Sequence, residues 1–458
     1  MAEKAARRSW LTGWDPEDED AWHRGGHRIA RRNLVLSVLS EHIGFSVWTL
    51  WSVLVLFMSP EIGFAFNPGE KFLLVATPTV VGALLRLPYS YAVTRFGGRD
   101  WTVFATAILL VPASLALYFV QRPGTPLWVF LLIGAVAGVG GGNFASSMTN
   151  ITAFYPQRHQ GWALGLNAGG GNLGVATVQL VGLAVISLAG RTHPSYVAAV
   201  YLPLIVLTAL LAAWRMDNVD TVRAAPGAQR EAVRDADTWW ISLLYIGTFG
   251  SFIGYGFAFG LVLQNEFDAT PVEAVGYTFL GPLLGSFSRP LGGLLADRLG
   301  GARVSFWNFL AMGAGTVVLV LASRAGSFGL FVAGFTALFV LSGLGNGSTY
   351  KMIPAVYARK AEREVTEGAD AAGAFARARR LSGAVIAVAG AVGALGGAAI
   401  NLAFRLSYAD GSGSGTPAFL VFLGYYLLCL VVIRSVYLRA RPAGAAPAAD
   451  PEPERSRV

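Results

Sequence analysis

Segments of about 20 predominantly apolar residues recur twelve times along this 458-residue chain. A segment of that length crosses the hydrocarbon core of a bilayer as an α-helix. Charged residues make up only 14% of the chain and hydrophobic residues 54%, whereas a soluble domain carries about 25% charged residues. We therefore predict an all-α polytopic membrane protein with twelve transmembrane helices. The predicted spans are 33–58, 71–94, 101–120, 126–148, 160–187, 195–214, 238–263, 272–296, 303–322, 327–350, 382–405 and 416–438.

The two halves of the chain repeat the same polar residues at the same offset. Arg86 and Arg289 lie 203 residues apart, and so do Asn143 and Asn346. Each arginine also precedes a Gly-Gly pair by eleven residues. The repeat indicates an internal duplication, so the twelve helices are expected to form two pseudo-symmetric six-helix bundles.

Polar segments divide the chain into its expected parts. We predict an N-terminal tail, a first bundle, a central linker, a second bundle and a C-terminal tail, over 1–32, 33–216, 217–237, 238–438 and 439–458. A second polar segment, 357–380, separates spans ten and eleven. Its alternation of charged and alanine residues predicts a charged amphipathic helix on the cytoplasmic face that serves as a solvated connection; the alternative is a regulatory role.

Arginine and lysine concentrate before the first span and on alternate connections. By the positive-inside rule, both termini and the central linker are expected to be cytoplasmic. The N-terminal tail lacks the apolar core and cleavage site of a removable signal, so the expected location is the inner (cytoplasmic) cell membrane. The formal net charge of +8 lies in short loops beside the spans, and no nucleic-acid partner is expected.

Metal, cofactor and redox chemistry have no recognisable motif. The five histidines are scattered, without the HExxH spacing of a zinc site, and the single cysteine cannot form an intramolecular disulfide. We therefore expect no metal, no cofactor and no enzymatic activity.

Arg86 and Arg289 both fall inside predicted spans. A charged side chain there is costly and is normally retained for a function. The simplest structural role is a buried ion pair, but Glu41 is the only clear carboxylate within a span, and it cannot neutralise both arginines. The pair therefore indicates a pocket for an anion, and guanidinium groups suit oxyanions particularly well.

The loop after span eight carries a motif of a large transporter class. The sequence GGLLADRLGGAR, with Asp297, Arg298 and Arg303, resembles the cytoplasmic signature of the major facilitator superfamily. That resemblance implies the major facilitator fold, with substrate between the two halves, and these loop charges are expected to latch conformations. The matching loop after span two, YAVTRFGGRD, has Thr94 in place of the acidic residue.

Within that superfamily the chain resembles the nitrate/nitrite porter family over residues 33 to 438. The resemblance rests on GWALGLNAGGGNLGVATVQL in span five and SGAVIAVAGAVGALGGAAIN in span eleven, supported by GGGNFASSMTNI, LYIGTFGSFIGYGF and GLGNGSTYKMIP. Glycines at such spacings let helices approach closely, so we expect the two runs to form faces on which the halves rock rather than substrate contacts. The glycines concerned are Gly165, Gly169, Gly171, Gly174, Gly390, Gly393, Gly396 and Gly397.

The same resemblance assigns a binding site for the anion. It implies that the rings of Phe144 and Phe249 sandwich nitrate between them, that Tyr245 donates a hydrogen bond, and that Asn172 contacts substrate. On the residues alone, the aromatic side chains are ordinary core and Asn172 could bond a neighbouring helix. Structural roles are expected for Asn143 and Asn346. A functional monomer is expected by analogy with the superfamily.

Glu41 and His42 decide how transport would be coupled. Both lie about nine residues inside the first span, where either could carry a proton; alternatively, Glu41 pairs with an arginine and His42 caps a helix contact. Importing a monovalent anion against a negative interior costs about 2.3 kcal/mol per 100 mV. We therefore expect proton-coupled nitrate symport. The alternatives are nitrate/nitrite exchange, exchange of an organic or phosphorylated anion, and a receptor that binds nitrate without transport. Lys351, at the end of span ten, either attracts the leaving anion or extends to the interface.

Overall fold

The computed structural model describes residues 10–220, 227–409 and 413–439, and helices account for nearly all of them. Within these ranges the strands are two-residue segments, β1 (Trp10–Leu11) and β2 (Asn218–Val219), which pair in parallel. Twelve long helical elements follow one another along the chain. They are α1 (His27–Trp48 and Trp51–Phe57), α2 (Pro68–Phe96), α3 (Gly98–Ala107 and Leu110–Phe119), α4 (Leu127–Ala137 and Val139–Phe154), α5 (Gln157–Ala189), α6 (Ser195–Arg215), α7 (Ala236–Tyr245, a π-turn over Ile246–Gly250, and Ser251–Phe267), α8 (Pro271–Thr278 and Leu280–Leu299), α9 (Gly301–Arg324), α10 (Phe328–Thr366), α11 (Ala371–Ala409) and α12 (Thr416–Val432).

Among the described residues, eleven of these elements are long and apolar enough to cross a membrane. The element that falls short is α8, which carries Ser286, Ser288 and Arg289 in its middle and two charged residues near its end. Its length nevertheless matches the predicted span 272–296. Arg289, one of the polar residues that lower the hydropathy of α8, is also one of the two arginines of the sequence repeat. The helix with low hydropathy therefore carries a candidate site residue.

The first six helices form one half and the last six form the other. Helix α2 packs along α11, and α5 packs along α8, so both contacts join a helix of the first half to one of the second. Helix α2 contains Pro78 and Pro88, which cannot donate backbone hydrogen bonds. The carbonyl of the first proline, Pro78, accepts a hydrogen bond from the Trp48 indole N–H of α1 at 2.7 Å. This bond holds α1 against α2.

The N-terminal segment is anchored to the first half. Strand β1 pairs with β2 just after α6, and Trp14 donates to the Ala153 carbonyl at 3.1 Å. Trp22 packs on Tyr155 and stacks on His159, with ring centroids 5.7 and 6.0 Å apart. Helix α1 begins at His27, before the predicted start at residue 33. The tail is therefore a packed segment from Trp10 onward; residues 1–9, and all of the C-terminal tail after Arg439, lie outside the described residues.

The polar segment 357–380 is not a separate amphipathic helix in solvent. Helix α10 continues to Thr366, and α11 begins at Ala371, so the segment forms the ends of two long helices joined by a short turn. A linker helix, Ala228–Arg234, packs against these ends. Its Glu231 pairs with Arg377 at 2.5 Å and with Arg380 at 3.3 Å. We call this end of the bundle, which also carries the N-terminal segment, the linker face; of the linker itself, 221–226 is not described.

The two halves meet at the end of the bundle opposite the linker face. The Gln179 side chain of α5 donates to the Gly256 carbonyl of α7 at 2.9 Å, and Gln264 of α7 donates to the Leu56 carbonyl of α1 at 3.1 Å. Phe72 of α2 stacks on Tyr408 of α11, with centroids 5.5 Å apart. These contacts close that end of the bundle.

Candidate functional site

Arg86 lies on α2 in the interior of the protein, with none of its surface exposed. Its Nη1 donates to the Gly390 carbonyl of α11 at 3.0 Å. A Cβ at residue 390 would stand 3.4 Å from that nitrogen, so the glycine keeps the approach open. The guanidinium carbon lies 4.5 Å from the Phe144 ring centroid and 4.7 Å from that of Phe249. Arg86 therefore bridges the two halves, and the rings hold its plane in place.

Arg289 lies on α8 and is 7% exposed. Its Nη2 donates to the Tyr245 hydroxyl at 3.3 Å, and its guanidinium carbon is 5.8 Å from the ring centroids of both Phe144 and Tyr350. Phe144 thus contacts both arginines. The Tyr245 ring in turn stacks on Phe249, one helical turn later, at 5.2 Å. The structure therefore brings together five of the six residues that the sequence assigned to substrate.

A cavity of about 340 Å³ reaches from Arg86 to the linker face. Residues of α2, α4, α10 and α11 form its wall, and Gly227, Gln229 and Arg380 line its mouth. Two buried nitrogens of Arg86, which lines the cavity, have no hydrogen-bond partner in the described part of the chain: Nε and Nη2. Arg289 does not itself line the cavity, but its buried Nη1 is also unpaired among the described residues. Because buried donors are normally paired, the inner end of the cavity is built to receive an acceptor.

In this conformation the two rings that the resemblance assigns to the faces of the anion lie closer together than a planar group between them requires; that they sandwich nitrate stays a prediction. The centroids of Phe144 and Phe249 are 5.9 Å apart and their planes are inclined by 33°. A planar group stacked between two rings needs about 7 Å, twice the contact distance between carbon atoms. The rings instead contact the Arg86 guanidinium.

Glu41 is fully buried on α1 and takes part in a polar cluster with α4 and α5. Its Oε2 accepts hydrogen bonds from the Ser147 hydroxyl and from Asn167 Nδ2, the latter at 2.7 Å. Asn167 Nδ2 also donates to Ser147 Oγ at 2.8 Å. Glu41 Oε1 has no partner among the described residues, and the ion pairs found within them do not join Glu41 to either arginine. Sequence reasoning missed Ser147 and Asn167, although an amide within an apolar span was a signal available for Asn167.

His42 and Asn172 do not line the cavity that Arg86 lines. His42 Nδ1 is 3.0 Å from the Gly170 carbonyl of α5, which is the helix contact named above as the alternative to proton transfer. Asn172 is fully buried, and both its amide atoms lack a partner within residues 10–220, 227–409 and 413–439. It does not line the cavity, and Asn143 and Asn346 are likewise buried without side-chain partners in those ranges.

Six of the eight candidate glycines lie where a side chain would meet a neighbouring helix. A Cβ at Gly171 would stand 2.3 Å from Glu41 Oε1, and one at Gly174 would stand 2.3 Å from the His42 carbonyl oxygen. In α11, the corresponding atoms are those of Arg86 for Gly390, Tyr245 for Gly393, Ile246 for Gly396 and Ile253 for Gly397. Gly165 and Gly169 differ, since a Cβ at either would meet nothing within 4 Å. These two form no packed face in this conformation.

The charged loop after α8 makes one ion pair. Asp297 pairs with Lys351 of α10 at 2.9 Å, which ties two helices of the second half. This ion pair gives Lys351 a contact that the sequence did not predict. The side chains of Arg298 and Arg303 are exposed and make no hydrogen bond or ion pair with the rest of the described chain. In the first half, Arg99 donates from Nε and Nη2 to the Ala213 carbonyl at 3.0 and 2.6 Å, at the end of α6.

Two six-helix halves around a buried, positively charged cavity define a membrane transporter rather than an enzyme. The model of the Major Facilitator Superfamily matches residues 42–401. The nitrate/nitrite transporter NarU of Salmonella typhimurium is 38% identical over 456 residues, covering 94% of this chain and 97% of the relative. The chain therefore belongs to the nitrate/nitrite porter family of the Major Facilitator Superfamily, and the expected family and fold class are confirmed.

Two further comparisons agree with this assignment. The probable nitrate/nitrite antiporter NarK2 of Thermus thermophilus is 35% identical over 77% of this chain and 84% of its own length. The structure of the xylose transporter XylE from E. coli, in a partially occluded inward open conformation, matches 90% of this chain and 98% of that chain with a TM-score of 0.65 at 12% identity. At that identity the likeness supports the fold alone.

Proposed function

We propose that this protein transports nitrate and nitrite across the membrane, and that it imports nitrate together with protons. The observation that carries the proposal is the edge of the Arg86 guanidinium group that has no hydrogen-bond partner in the described structure, which we call its free edge. With Nη1 engaged by Gly390, Nε and Nη2 remain without partners in the described structure, and the cavity reaches Arg86. These two nitrogens form one side of the guanidinium fork, which binds a planar oxyanion through two parallel hydrogen bonds.

Charge supports an anionic substrate. Two buried guanidinium groups face the same Phe144 ring, and the nearby buried carboxylate, Glu41, makes its hydrogen bonds to Ser147 and Asn167 instead. The region therefore holds more positive than negative charge. In a low-dielectric interior such an excess attracts an anion strongly. The names of NarU and NarK2, both described as carrying nitrate and nitrite, point to these ions.

Glu41 is our candidate for proton coupling. Its carboxylate is buried among polar groups and is close enough to Arg86 and Arg289 to interact electrostatically with both. Arrival of an anion between the arginines would weaken their attraction for the carboxylate and so favour uptake of a proton by Glu41. His42 is assigned a packing contact, because its ring bonds the α5 backbone.

The second candidate function is nitrate/nitrite exchange without protons. The observation that favours it is the name of NarK2, a probable antiporter that shares 35% identity with this chain. Exchange of one monovalent anion for another moves no net charge, so it requires no titratable group. In that case the Glu41 cluster only packs α1 against α4 and α5.

The proposal includes an orientation. Arginines in the described chain concentrate at the linker face, among them Arg24, Arg28, Arg31, Arg99 and Arg380. From the positive-inside rule we propose that this face lies on the cytoplasmic side of the inner cell membrane. With the opposite end closed by the Gln179 and Gln264 contacts, this conformation opens inward. We propose that one chain suffices for transport.

The test is nitrate uptake into proteoliposomes that contain the purified full-length protein. Uptake would be measured with and without an inward proton gradient, and with and without nitrite inside, for the wild type and for Arg86→Lys and Arg289→Lys. Gradient-driven uptake that both substitutions abolish supports symport through the arginine pair. Uptake that requires internal nitrite would establish exchange instead. Nitrate transport that survives in both lysine variants would contradict the assigned site.

A further inference from the structure

Tyr350, on α10, is a residue of the cavity wall that the sequence analysis did not select. Its hydroxyl is buried and has no hydrogen-bond partner in the described chain. Its ring centroid lies 5.8 Å from the guanidinium carbon of Arg289 and 6.4 Å from the centroid of Tyr245. Tyr350 is thus a neighbour of both the second arginine and that arginine's hydrogen-bond partner.

Most buried tyrosine hydroxyls near Tyr350 are paired; the Tyr201 hydroxyl on α6 is also buried without a partner in the described chain, but Tyr201 does not line the cavity. The Tyr245 hydroxyl accepts from Arg289, and those of Tyr255 and Tyr426 bond each other. A buried hydroxyl without a partner is unfavourable, so one that faces a cavity beside a guanidinium group indicates a ligand that supplies the acceptor. The unpaired nitrogen Arg289 Nη1 belongs to the same region and supports the same conclusion.

We propose that the Tyr350 hydroxyl donates a hydrogen bond to the transported anion and favours nitrate over nitrite. This inference rests on the proposed function. The free edge of Arg86, with two nitrogens, engages two oxygens of the anion. Nitrate then presents a third oxygen to Tyr350, which lines the cavity and lies beside Arg289. Nitrite has no third oxygen, so its binding leaves the tyrosine hydroxyl unpaired. A site that is built to bond a substrate group discriminates against the analogue that lacks it.

The test compares nitrate and nitrite affinities of the full-length protein in lipid nanodiscs, measured by calorimetry on the wild type and on Tyr350→Phe. Removal of a hydrogen bond to a charged group should weaken nitrate binding roughly 10- to 100-fold, with nitrite affinity changing less than about 3-fold. The control is Tyr201→Phe, which removes a buried tyrosine hydroxyl from α6, outside the cavity lining, and should change neither affinity.

Retained nitrite binding in Tyr350→Phe also serves as the check that the variant is folded. A selective loss of nitrate affinity supports the inference. Equal losses for both anions, or no loss for either, would overturn it and leave the proposed function intact. A wild-type protein that bound neither anion would overturn the proposed function, and the role of Tyr350 with it.

Discussion

Replacement of Gly171 by alanine tests the packing of α5 against the buried carboxylate. The new Cβ would stand 2.3 Å from Glu41 Oε1 and 2.7 Å from its Cδ and Cγ. These distances are far below the 3.5 Å of an ordinary carbon contact. Glu41 cannot move aside freely, because Ser147 and Asn167 hold its other oxygen.

Overpacking of this kind costs about 1–3 kcal/mol. Alanine is favoured over glycine within a helix by roughly 0.5–1 kcal/mol, which offsets part of the cost. The difference is a net destabilisation of about 0–2.5 kcal/mol, centred at about 1 kcal/mol. The same displacement should reduce proton-driven nitrate uptake, since it disturbs the carboxylate that we assign to coupling.

Cys429 provides the assay. It is the single cysteine of the chain and is buried in α12, so a thiol-reactive fluorophore reports unfolding on heating. The matched control is Gly169→Ala, two residues earlier on the same helix, where the added Cβ meets nothing within 4 Å. Gly169→Ala should melt at or slightly above the wild-type temperature, and Gly171→Ala clearly below it. If the two variants melted together, the contact between Gly171 and Glu41 would not stabilise this protein.

Three further substitutions test other parts of the structure. Glu41→Gln should abolish nitrate uptake driven by a proton gradient and spare nitrate/nitrite exchange in proteoliposomes; unchanged acid-driven uptake would refute the coupling role. Gln179→Leu removes the bond to the Gly256 carbonyl that joins the halves opposite the linker face, a loss of about 0.5–1.5 kcal/mol. The state open at that end should gain roughly 2- to 12-fold in population. Reduced labelling of a cysteine placed at Thr152, in the cavity, would reveal this gain; the measurement is made in a Cys429→Ala background. At the linker face, burial acts to raise the pKa of Asp235, but hydrogen bonds from Lys360 and the Asp237 N–H lower it below its ordinary value. This group therefore stabilises the fold above about pH 4, and its contribution is lost as the pH falls through the lowered pKa. In Lys360→Met the melting temperature should depend less on pH in that acidic range, and an unchanged pH profile would contradict the assigned pairing.

The sequence predicted the fold because its signals are local and repeated. Apolar length predicted all twelve spans, and eleven of the described helical elements are long and apolar enough to cross a membrane. The 203-residue offset predicted that the spans form two matching halves. The same offset placed Arg86 and Arg289 together in space. Apolar length is a property of each segment, and the offset comes from comparing two segments of the sequence. Neither signal depends on how the side chains pack.

What the sequence could not provide is which neighbour each polar group meets. Glu41 could have paired with an arginine, and only the packing of α1 against α4 and α5 shows that Ser147 and Asn167 hold it. Tyr350 sits in GLGNGSTYKMIP, a motif chosen for its resemblance to the family and for Asn346, and its position beside Arg289 depends on how α8 and α10 cross. Gly165 and Gly169 share a motif with Gly171, yet only the structure shows that they face open space.

The pairing of β1 with β2 sets a geometric limit on the transport cycle. It fastens Asn218–Val219 to the first half, where the Asn218 side chain also accepts from the Arg99 N–H at 2.9 Å. The linker helix is fastened to the second half through Glu231. Eight residues connect Val219 to Ala228, and a chain of that length reaches at most about 30 Å when fully extended. While both attachments hold, this connection is a tether of fixed maximum length between the two halves, and at the linker face the halves cannot separate beyond its reach.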